Sequence, residues 1–82
     1  MKYTVYLLKC SDGTYYTGST TDIKRRLSEH NNSKKGAKYT YARRPVVLQY
    51  SEQCEDLSAA LRREYQIKKL THSEKEKLKL SN

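Results

Sequence analysis

Two short segments near the N-terminus each place a tyrosine where it could handle a proton. Tyr6 ends the triplet Thr4-Val5-Tyr6 and Tyr16 begins the triplet Tyr16-Thr17-Gly18, with nine residues between the two triplets. The gap contains the turn sequence Ser11-Asp12-Gly13-Thr14, so a β-hairpin would bring both phenols onto neighbouring strands. Phenols placed in this way could be packing groups of the core or a pair of proton-handling groups over a phosphate. The triplets alone leave both interpretations open.

A carboxylate falls on the apolar side of a predicted helix in the second half of the chain. At about 100° per residue, Leu57, Ala60 and Leu61 form an apolar stripe. Glu64 lies at the centre of that stripe, where a carboxylate is costly unless a cation, a metal ion or hydrogen-bond donors meet it. The simpler alternative is an exposed Glu64 that pairs with Lys68 four residues later.

The first predicted helix carries an arginine and a histidine next to its apolar side. Ile23 and Leu27 mark the buried side, His30 lies on the same side, and Arg26 flanks it. A guanidinium at the edge of a core is suited to bidentate recognition of a phosphate. Alternatively, Arg26 is a solvated member of the run Lys24-Arg25-Arg26, and His30 is a boundary residue whose hydrogen bonds are satisfied within the fold.

The charge of the chain indicates an anionic partner. The 82 residues carry a net charge of +8, and a small basic domain gains affinity for nucleic acid by neutralising phosphates. Between residues 31 and 44, cations that could contact the backbone alternate with tyrosines that could stack on unpaired bases. These residues are Lys34, Lys35, Lys38, Tyr39, Tyr41, Arg43 and Arg44. The alternative for this basic segment is an ordinary solvated loop.

Strand and helix signals predict the elements that must position these side chains. Segments rich in β-forming residues predict strands over residues 3–9, 14–17 and 46–50, the last of them buried. Helical spacing and caps predict helices over residues 22–30, 56–70 and 73–80, the last beginning with a capping box of Ser73 and Glu76. The predicted order is ββαβαα. It gives one α/β (α+β) domain over residues 1–82, with a small, mostly antiparallel three-stranded sheet covered by helices.

The cysteines and the hydropathy exclude some classes of protein. Cys10 and Cys54 share no paired spacing, so we expect small buried residues in a reducing compartment. A zinc site formed with His30 and His72 is not expected, because paired-ligand spacing is absent. No apolar run approaches the ~20 residues of a membrane helix, and no secretory leader is found, so we expect a cytoplasmic protein.

Taken together, these positions resemble the GIY-YIG nuclease domain over nearly the whole chain. Thr4-Val5-Tyr6 stands where that family has Gly-Ile-Tyr, and Tyr16-Thr17-Gly18 stands where it has Tyr-Ile-Gly. Arg26 matches the arginine of the family's first helix, and Glu64 matches its metal-binding glutamate. No single triplet is specific, but the ordered set of these residues together with His30 is.

Two subgroups of the family are the most similar. One is the short, single-domain bacterial group called YhbQ-like, and the other is the catalytic domain of the Slx-type structure-specific endonucleases. The second likeness extends through Gly36-Ala37-Lys38-Tyr39-Thr40 and Arg44-Pro45. The chain departs from the family at Thr4, Val5 and Thr17, at Ser19 where some members have a lysine, and at residues 73–77 where many have an asparagine.

The resemblance implies metal-dependent hydrolysis of phosphodiester bonds. Glu64 would hold one Mg²⁺ or Mn²⁺, and Arg26 would neutralise charge that develops on the phosphate. Tyr6 is the first candidate for the general base towards the attacking water, while Tyr16 would orient the water or phosphate and His30 would assist proton transfer. As a base, Tyr6 would need its pKa, about 10 when free, to be lowered by the metal and nearby cations.

The expected function is therefore that of an endonuclease that cuts DNA rather than RNA. It is expected to recognise structure rather than sequence, because so small a basic domain has little surface for reading bases. Repair or recombination is the role that the family suggests. The alternative is a nucleic-acid-binding module that keeps the nuclease fold, although binding alone does not require Glu64. A third hypothesis, an interaction domain whose charge serves solubility, leaves the basic segment unexplained.

Overall fold

The computed structural model describes residues 2–79 and confirms a three-stranded antiparallel sheet with helices. The strands are β1 (Tyr3–Lys9), β2 (Tyr15–Thr20) and β3 (Val47–Cys54). The helices are α1 (Ile23–Asn32), α2 (Lys38–Tyr41), α3 (Leu57–Lys68) and α4 (His72–Lys77). The predicted order is confirmed, with the four-residue α2 added between α1 and β3. None of the helices in the described range is both long and apolar enough to cross a membrane.

β1 is the central strand, and its side chains form the core on both faces of the sheet. It pairs antiparallel with β2 on one side and with β3 on the other. Val5 and Leu7 pack against α3, whereas Tyr6 and Leu8 belong to a second cluster with side chains of β2 and α1. Because successive side chains of a strand point to opposite faces, the sheet forms the middle layer between α3 and α1.

The hairpin between β1 and β2 turns at the predicted position. Gly13 has a φ of 85°, a conformation that favours glycine, and Asp12 Oδ1 accepts hydrogen bonds from the backbone nitrogen (3.1 Å) and hydroxyl (2.6 Å) of Thr14. β2 extends to Thr20, beyond the predicted end at residue 17, because its last residues still pair with β1. The two tyrosine triplets therefore lie on adjacent antiparallel strands.

β3 is an edge strand, so the prediction of a buried strand over residues 46–50 is wrong. Val47 begins the strand with a side chain that is 58% exposed, and the strand ends at Cys54. Val46 is buried but precedes the strand. An edge strand has only one pairing partner and leaves much of its surface in solvent. Cys10 is buried as expected, whereas Cys54 is only partly buried.

The buried face of α3 differs from the predicted apolar stripe. Ala60 and Ile67 are fully buried, whereas Leu57 and Leu61 are 46% and 52% exposed. Ile67 follows Ala60 by about two turns and lies nearly in line with it, so these two residues define the inward face. Glu64 lies between them along the helix, and only 18% of its side chain is exposed. Its position on the inner side is therefore confirmed, although the leucines do not define that side.

The capping box of α4 lies two residues before the predicted one. The hydroxyl of Thr71 accepts a hydrogen bond from the backbone nitrogen of Glu74 at 3.1 Å. Glu74 Oε1 in turn accepts from the backbone nitrogen of Thr71 at 2.8 Å, which completes the reciprocal pair. The predicted box of Ser73 and Glu76 is therefore wrong. α4 ends at Lys77, before the predicted end near Leu80, which itself lies outside the described residues.

Candidate active site

The phenol of Tyr6 lies across β2 at the position of a glycine. Tyr6 pairs with Gly18 in the register of β1 and β2. A Cβ atom on Gly18 would lie only 2.5 Å from the hydroxyl oxygen of Tyr6, so the close approach requires a residue without a side chain. The glycine of one triplet thus makes room for the tyrosine of the other, which ties the two triplets into a single site.

A buried chain of hydrogen bonds links Tyr6 to α1 and α2. The hydroxyl oxygen of Tyr6 lies 2.9 Å from His30 Nε2, and His30 Nδ1 lies 2.7 Å from Thr40 Oγ1. Thr40 Oγ1 also donates to the carbonyl oxygen of Ala37 at 3.0 Å. Tyr6, His30 and Thr40 are at most 1% exposed, so water does not compete for these bonds. His30 is thus a core residue with satisfied hydrogen bonds and, at the same time, the partner of the site's tyrosine.

Burial keeps the imidazole of His30 neutral near neutral pH. Desolvation lowers the pKa of His30 from 6.5 to about 4, and the positive charge of Arg26 acts in the same direction. A neutral imidazole donates from one ring nitrogen and accepts at the other. His30 can therefore accept a proton at one nitrogen while it donates from the other.

The low pKa of His30 predicts that acid destabilises the fold. The unfolded chain binds a proton on His30 more readily than the folded protein, so the free energy of unfolding should fall as the pH drops from 6.5 towards about 4. Urea unfolding at a series of pH values measures this slope. His30→Gln should flatten the slope. A slope that His30→Gln does not alter would contradict the assignment.

The pKa of Tyr6 is raised, which limits its use as a base. Burial is the main cause; the charge of Glu64 adds to it, and the guanidinium of Arg26 opposes it. The expectation that nearby cations lower this pKa is met by Arg26 but outweighed by burial. Tyr6 therefore keeps its proton near neutral pH. It can accept a proton from water only as it passes its own proton to His30.

Tyr16 forms an aromatic wall beside this pair. Its ring centre lies 5.2 Å from that of His30 and 6.0 Å from that of Tyr39, which is stacked on it. The guanidinium carbon of Arg43 lies 3.9 Å from the centre of the Tyr39 ring on α2, and Arg43 Nε donates to Asp12 Oδ2 at 3.1 Å. Tyr39 and Arg43 thus contact other side chains of the fold and support the wall.

Arg26 is held next to Tyr6 by bonds from one of its nitrogens. Arg26 Nη1 donates to Glu29 Oε1 at 3.0 Å and to the carbonyl oxygen of Lys35 at 2.8 Å. The side chain is 26% exposed, so Arg26 is neither a freely solvated member of its basic run nor a fully buried ion. A guanidinium has further N–H donors on Nη2 and Nε, and these are suited to the oxygens of a phosphate.

Glu64 approaches the same tyrosine from a different helix. α3 packs on the other face of the sheet from α1, yet it contacts β2 as well as β1. Both alternatives for Glu64 hold in part: its carboxylate pairs with Lys68 Nζ at 2.8 Å, but it is largely buried rather than exposed. Its charge helps to raise the pKa of Tyr6. The charges of Arg26 and Glu64, on two different helices, therefore both act on the phenol of Tyr6.

The donor set around Glu64 fits a cation that keeps most of its water. Within residues 2–79, no three His, Cys, Asp or Glu side chains gather closely enough to hold a metal ion among them. Mg²⁺ binds through one or two carboxylates with water and substrate phosphates, and Mn²⁺ takes similar oxygen ligands. A single carboxylate from Glu64 is sufficient for this mode of binding.

The basic segment divides into bonded and open residues. Arg44 is bonded: Nε donates to the carbonyl oxygen of His30 at 2.6 Å, and Nη2 donates to those of Glu29 and Ser33. These carbonyls lie at the C-terminal end of α1, where the last carbonyls of a helix lack partners within it. That of Glu29 also accepts from the backbone nitrogen of Ser33 at 3.1 Å. Arg44 therefore caps α1, and its use as a contact to nucleic acid stays a prediction, as does that of Arg43 and Tyr39.

The remaining residues of the basic segment face solvent. Lys34, Gly36, Lys38 and Tyr41 line an open cavity of about 270 Å³, and Lys35 is exposed beside it. None of the three lysines forms a salt bridge in the part of the chain that the structure describes. Tyr41 is 54% exposed. The three lysines and Tyr41 are therefore open to solvent, and Tyr39 is 38% exposed. One face of the Tyr41 ring is covered by the guanidinium of Arg44, whose carbon lies 4.6 Å from the ring centre.

Gly36 allows the basic segment to pack against α1. A Cβ atom on Gly36 would lie 2.7 Å from the carbonyl oxygen of Glu29 and 2.8 Å from His30 Cα, and both are backbone atoms that cannot turn away. We expect Gly36→Ala to lower the free energy of unfolding by ~1–3 kcal/mol, as overpacking does elsewhere. Urea unfolding measures the change. The neighbouring Lys35→Ala should have little effect, and equal stability of Gly36→Ala and the native protein would contradict the packing argument.

Thr40 is the residue of the site that the sequence analysis did not select. It lies in the segment Gly36-Ala37-Lys38-Tyr39-Thr40, which resembles one subgroup and contributes to the basic segment. A threonine in a segment of lysines and tyrosines was the available signal. Its bond to His30, ten residues earlier, depends on how α2 docks on α1, which spacing along the chain does not show.

Comparison with known proteins agrees with this geometry. The family profile of the GIY-YIG catalytic domain matches residues 2–78. The chain belongs to the GIY-YIG family, which is a family of nucleases. The resemblance inferred from the tyrosine triplets, Arg26, His30 and Glu64 is thereby confirmed at the level of the family.

Within the family, the chain is similar to short proteins that are named UPF0213. It is 57% identical to one from Desulfotalea psychrophila, over 90% of this chain and 67% of that protein. It is 55% identical to one from Halobacterium salinarum, over 90% of this chain and 95% of that protein. The resemblance to the short bacterial group is therefore also confirmed.

Two solved structures share the fold. The solution NMR structure of the UPF0213 protein BH0048 from Bacillus halodurans has 44% identity and a TM-score of 0.57. That of the protein EF2693 from E. faecalis has 46% identity and a TM-score of 0.64. Each alignment covers 94% of this chain and 81% of the other chain.

Proposed function

We propose that this protein is an endonuclease that hydrolyses phosphodiester bonds in DNA with the aid of a divalent metal ion. The observation that carries the proposal is the convergence on one buried phenol. Tyr6 lies 2.9 Å from His30 Nε2, and the charges of Arg26 and Glu64, from two different helices, both act on it. A surface that only binds DNA does not require a buried tyrosine that is bonded to a histidine and on which the charges of an arginine and a carboxylate both act.

Tyr6 and His30 together would remove the proton from the attacking water. As the oxygen of water bonds to phosphorus, one of its protons passes to the hydroxyl oxygen of Tyr6 and the phenolic proton passes to His30 Nε2. The P–O bond to the leaving sugar oxygen breaks, and solvent protonates that oxygen. This path needs no free phenolate, which suits the raised pKa of Tyr6. Tyr16, next to His30, would orient the water or the phosphate. The proposed general base is therefore the pair of Tyr6 and His30 rather than either residue alone.

Arg26 and Glu64 would act on the phosphate. The guanidinium of Arg26 would donate to its oxygens and neutralise the charge that develops in the transition state. Glu64 would hold Mg²⁺ or Mn²⁺, which when bound supplies further stabilisation of that charge. The phosphate also favours protonation of His30, because its negative charge offsets the positive charge of Arg26 that lowers the pKa of His30.

The open part of the basic segment would guide DNA to this site. Lys34, Lys35 and Lys38 can neutralise backbone phosphates, and Tyr41 can stack on an unpaired base at the cavity. Contacts of this kind carry little sequence information, so we propose recognition of DNA structure. Cutting of branched or partly unpaired DNA would suit a role in repair or recombination.

A panel of substrates tests the proposal. The protein is incubated with single-stranded, duplex, flap and branched DNA, and with RNA of the same sequences, in Mg²⁺, in Mn²⁺ and in EDTA. Internal cuts in DNA that appear only with metal are the expected result, and preference for one structure identifies the substrate. Cutting of RNA but not DNA would overturn the choice of DNA.

The alternative function is that of a binding module that keeps the nuclease fold. It is favoured by the open lysines of the cavity, which would serve binding equally well. Binding that weakens steeply with salt, together with no cut in any DNA under either metal, would establish the module and overturn the nuclease proposal.

A further inference from the structure

The hydroxyl of Thr40 lies between a carbonyl oxygen, which can only accept a hydrogen bond, and an imidazole nitrogen, which can accept or donate one. Thr40 Oγ1 lies 3.0 Å from the carbonyl oxygen of Ala37 and 2.7 Å from His30 Nδ1. A threonine hydroxyl has one proton to donate and two lone pairs with which to accept. The carbonyl oxygen can only accept, so the bond to Ala37 uses the single proton of Thr40. Towards His30, the hydroxyl then acts as the acceptor.

This assignment fixes the tautomer of the imidazole. If Thr40 accepts at Nδ1, then Nδ1 carries the proton of the neutral ring and Nε2 is the accepting nitrogen. The hydroxyl of Tyr6 at 2.9 Å is placed to donate to Nε2. The backbone N–H of Ala37 also points at Nδ1, but at 3.4 Å it is a weaker contact than the 2.7 Å contact of Thr40. The hydroxyl protons of Tyr6 and Thr40 and the Nδ1 proton of His30 then each have one acceptor.

We propose that Thr40 is a positioning residue: by accepting the proton of His30 Nδ1, it keeps Nε2 free to take the proton of Tyr6. The opposite tautomer would place a proton on Nε2 and direct it at Tyr6. Nε2 could then not accept the phenolic proton. The tautomer itself is independent of any activity. Its consequence for catalysis rests on the proposed function.

Thr40 also connects the basic segment to the active site. It is fully buried on the short helix α2, whose other residues include Lys38 and Tyr41 of the open cavity. The single turn of α2 follows Gly36, which packs closely against the backbone of α1. The element that faces the proposed DNA therefore carries the side chain that orients the histidine.

Nitrogen-15 NMR of the imidazole tests the tautomer without any substrate. In the native protein, and in Thr40→Ser, we expect the proton of His30 on Nδ1. In Thr40→Val, which keeps the shape but has no acceptor, we expect the proton to move towards Nε2, where Tyr6 can accept it. A native protein that carries the proton on Nε2, or a Thr40→Val variant that keeps it on Nδ1, would overturn the proposal.

Cleavage kinetics test the consequence. Thr40→Val should lower kcat by roughly 10- to 100-fold with little change in KM, as loss of an orienting bond does in other sites. Thr40→Ser should recover most of the rate. Equal rates of Thr40→Val and the native protein would overturn the positioning role and leave the nuclease proposal standing. If the native protein does not cut, the catalytic consequence fails with the proposed function.

Discussion

Glu64→Gln should abolish metal-dependent cleavage and leave DNA binding intact. The substitution keeps the shape of a largely buried side chain but removes the charge that would hold Mg²⁺ or Mn²⁺. Loss of stabilisation by a metal ion is worth several kcal/mol, so cleavage should fall by at least about 100-fold. Initial cleavage rates, together with binding of the same DNA in EDTA, measure the two effects separately.

Lys68→Gln is the matched control for Glu64. It removes the 2.8 Å ion pair but keeps the carboxylate, so it separates a structural role of the pair from a metal-binding role of Glu64. Lys68 is more than half exposed, and solvent screens an ion pair with one exposed partner, so the pair should contribute little to stability. We expect Lys68→Gln to cut normally. If it lost as much activity as Glu64→Gln, the ion pair would be the functional feature and the metal assignment would be wrong.

Arg26→Ala should produce the second large loss, of about 10²- to 10³-fold in kcat, which is typical of removing one preorganised donor to a transition state. Its guanidinium is fixed by bonds to Glu29 and to the carbonyl oxygen of Lys35, so little ordering is needed when a phosphate arrives. Arg26→Lys keeps the charge but loses the planar fork, and we expect it to recover only part of the rate. Single-turnover kinetics separate these effects from product release.

The neighbouring Arg25 provides the control for charge alone. Its side chain is 58% exposed, and its contact with Glu29 is 3.9 Å long. Arg25→Ala changes the net charge by the same amount as Arg26→Ala, so both variants should lose similar DNA affinity at low salt. Only Arg26→Ala should lose the chemical step. Equal losses of kcat in the two variants would mean that Arg26 acts only through its charge, as Arg25 does, and would contradict its role at the transition state.

The parts of the fold set by local signals could be predicted from the sequence. Asp12 and Gly13 form the predicted turn, and Asp22 accepts from a backbone nitrogen of the first turn of α1, as an N-cap does. The predictions that were wrong concern tertiary packing. The strand after Val46 is an edge strand because β1 occupies the centre of the sheet, and no property of its own residues specifies that order.

The candidate site was predictable by residue type but not by hydrogen bonding. Glu64 was a candidate because the sequence places a carboxylate on an apolar face of the helix. The structure does place it on the inner side of α3, although Ala60 and Ile67 define that side. Arg43 and Arg44 were indistinguishable from DNA-binding residues by composition. Their partners, Asp12 and the end of α1, are brought to them only by the folded chain.

Opening of a covalently closed DNA circle tests the central claim most directly, because a circle has no ends and can be opened only by an internal cut. The circle carries a branched or unpaired segment and is incubated with the native protein or with Glu64→Gln, prepared side by side, in Mg²⁺. We expect the native protein to open the circle, and Glu64→Gln to bind it and leave it closed. A circle that the native protein binds but never opens, or one that Glu64→Gln opens equally fast, would contradict the account.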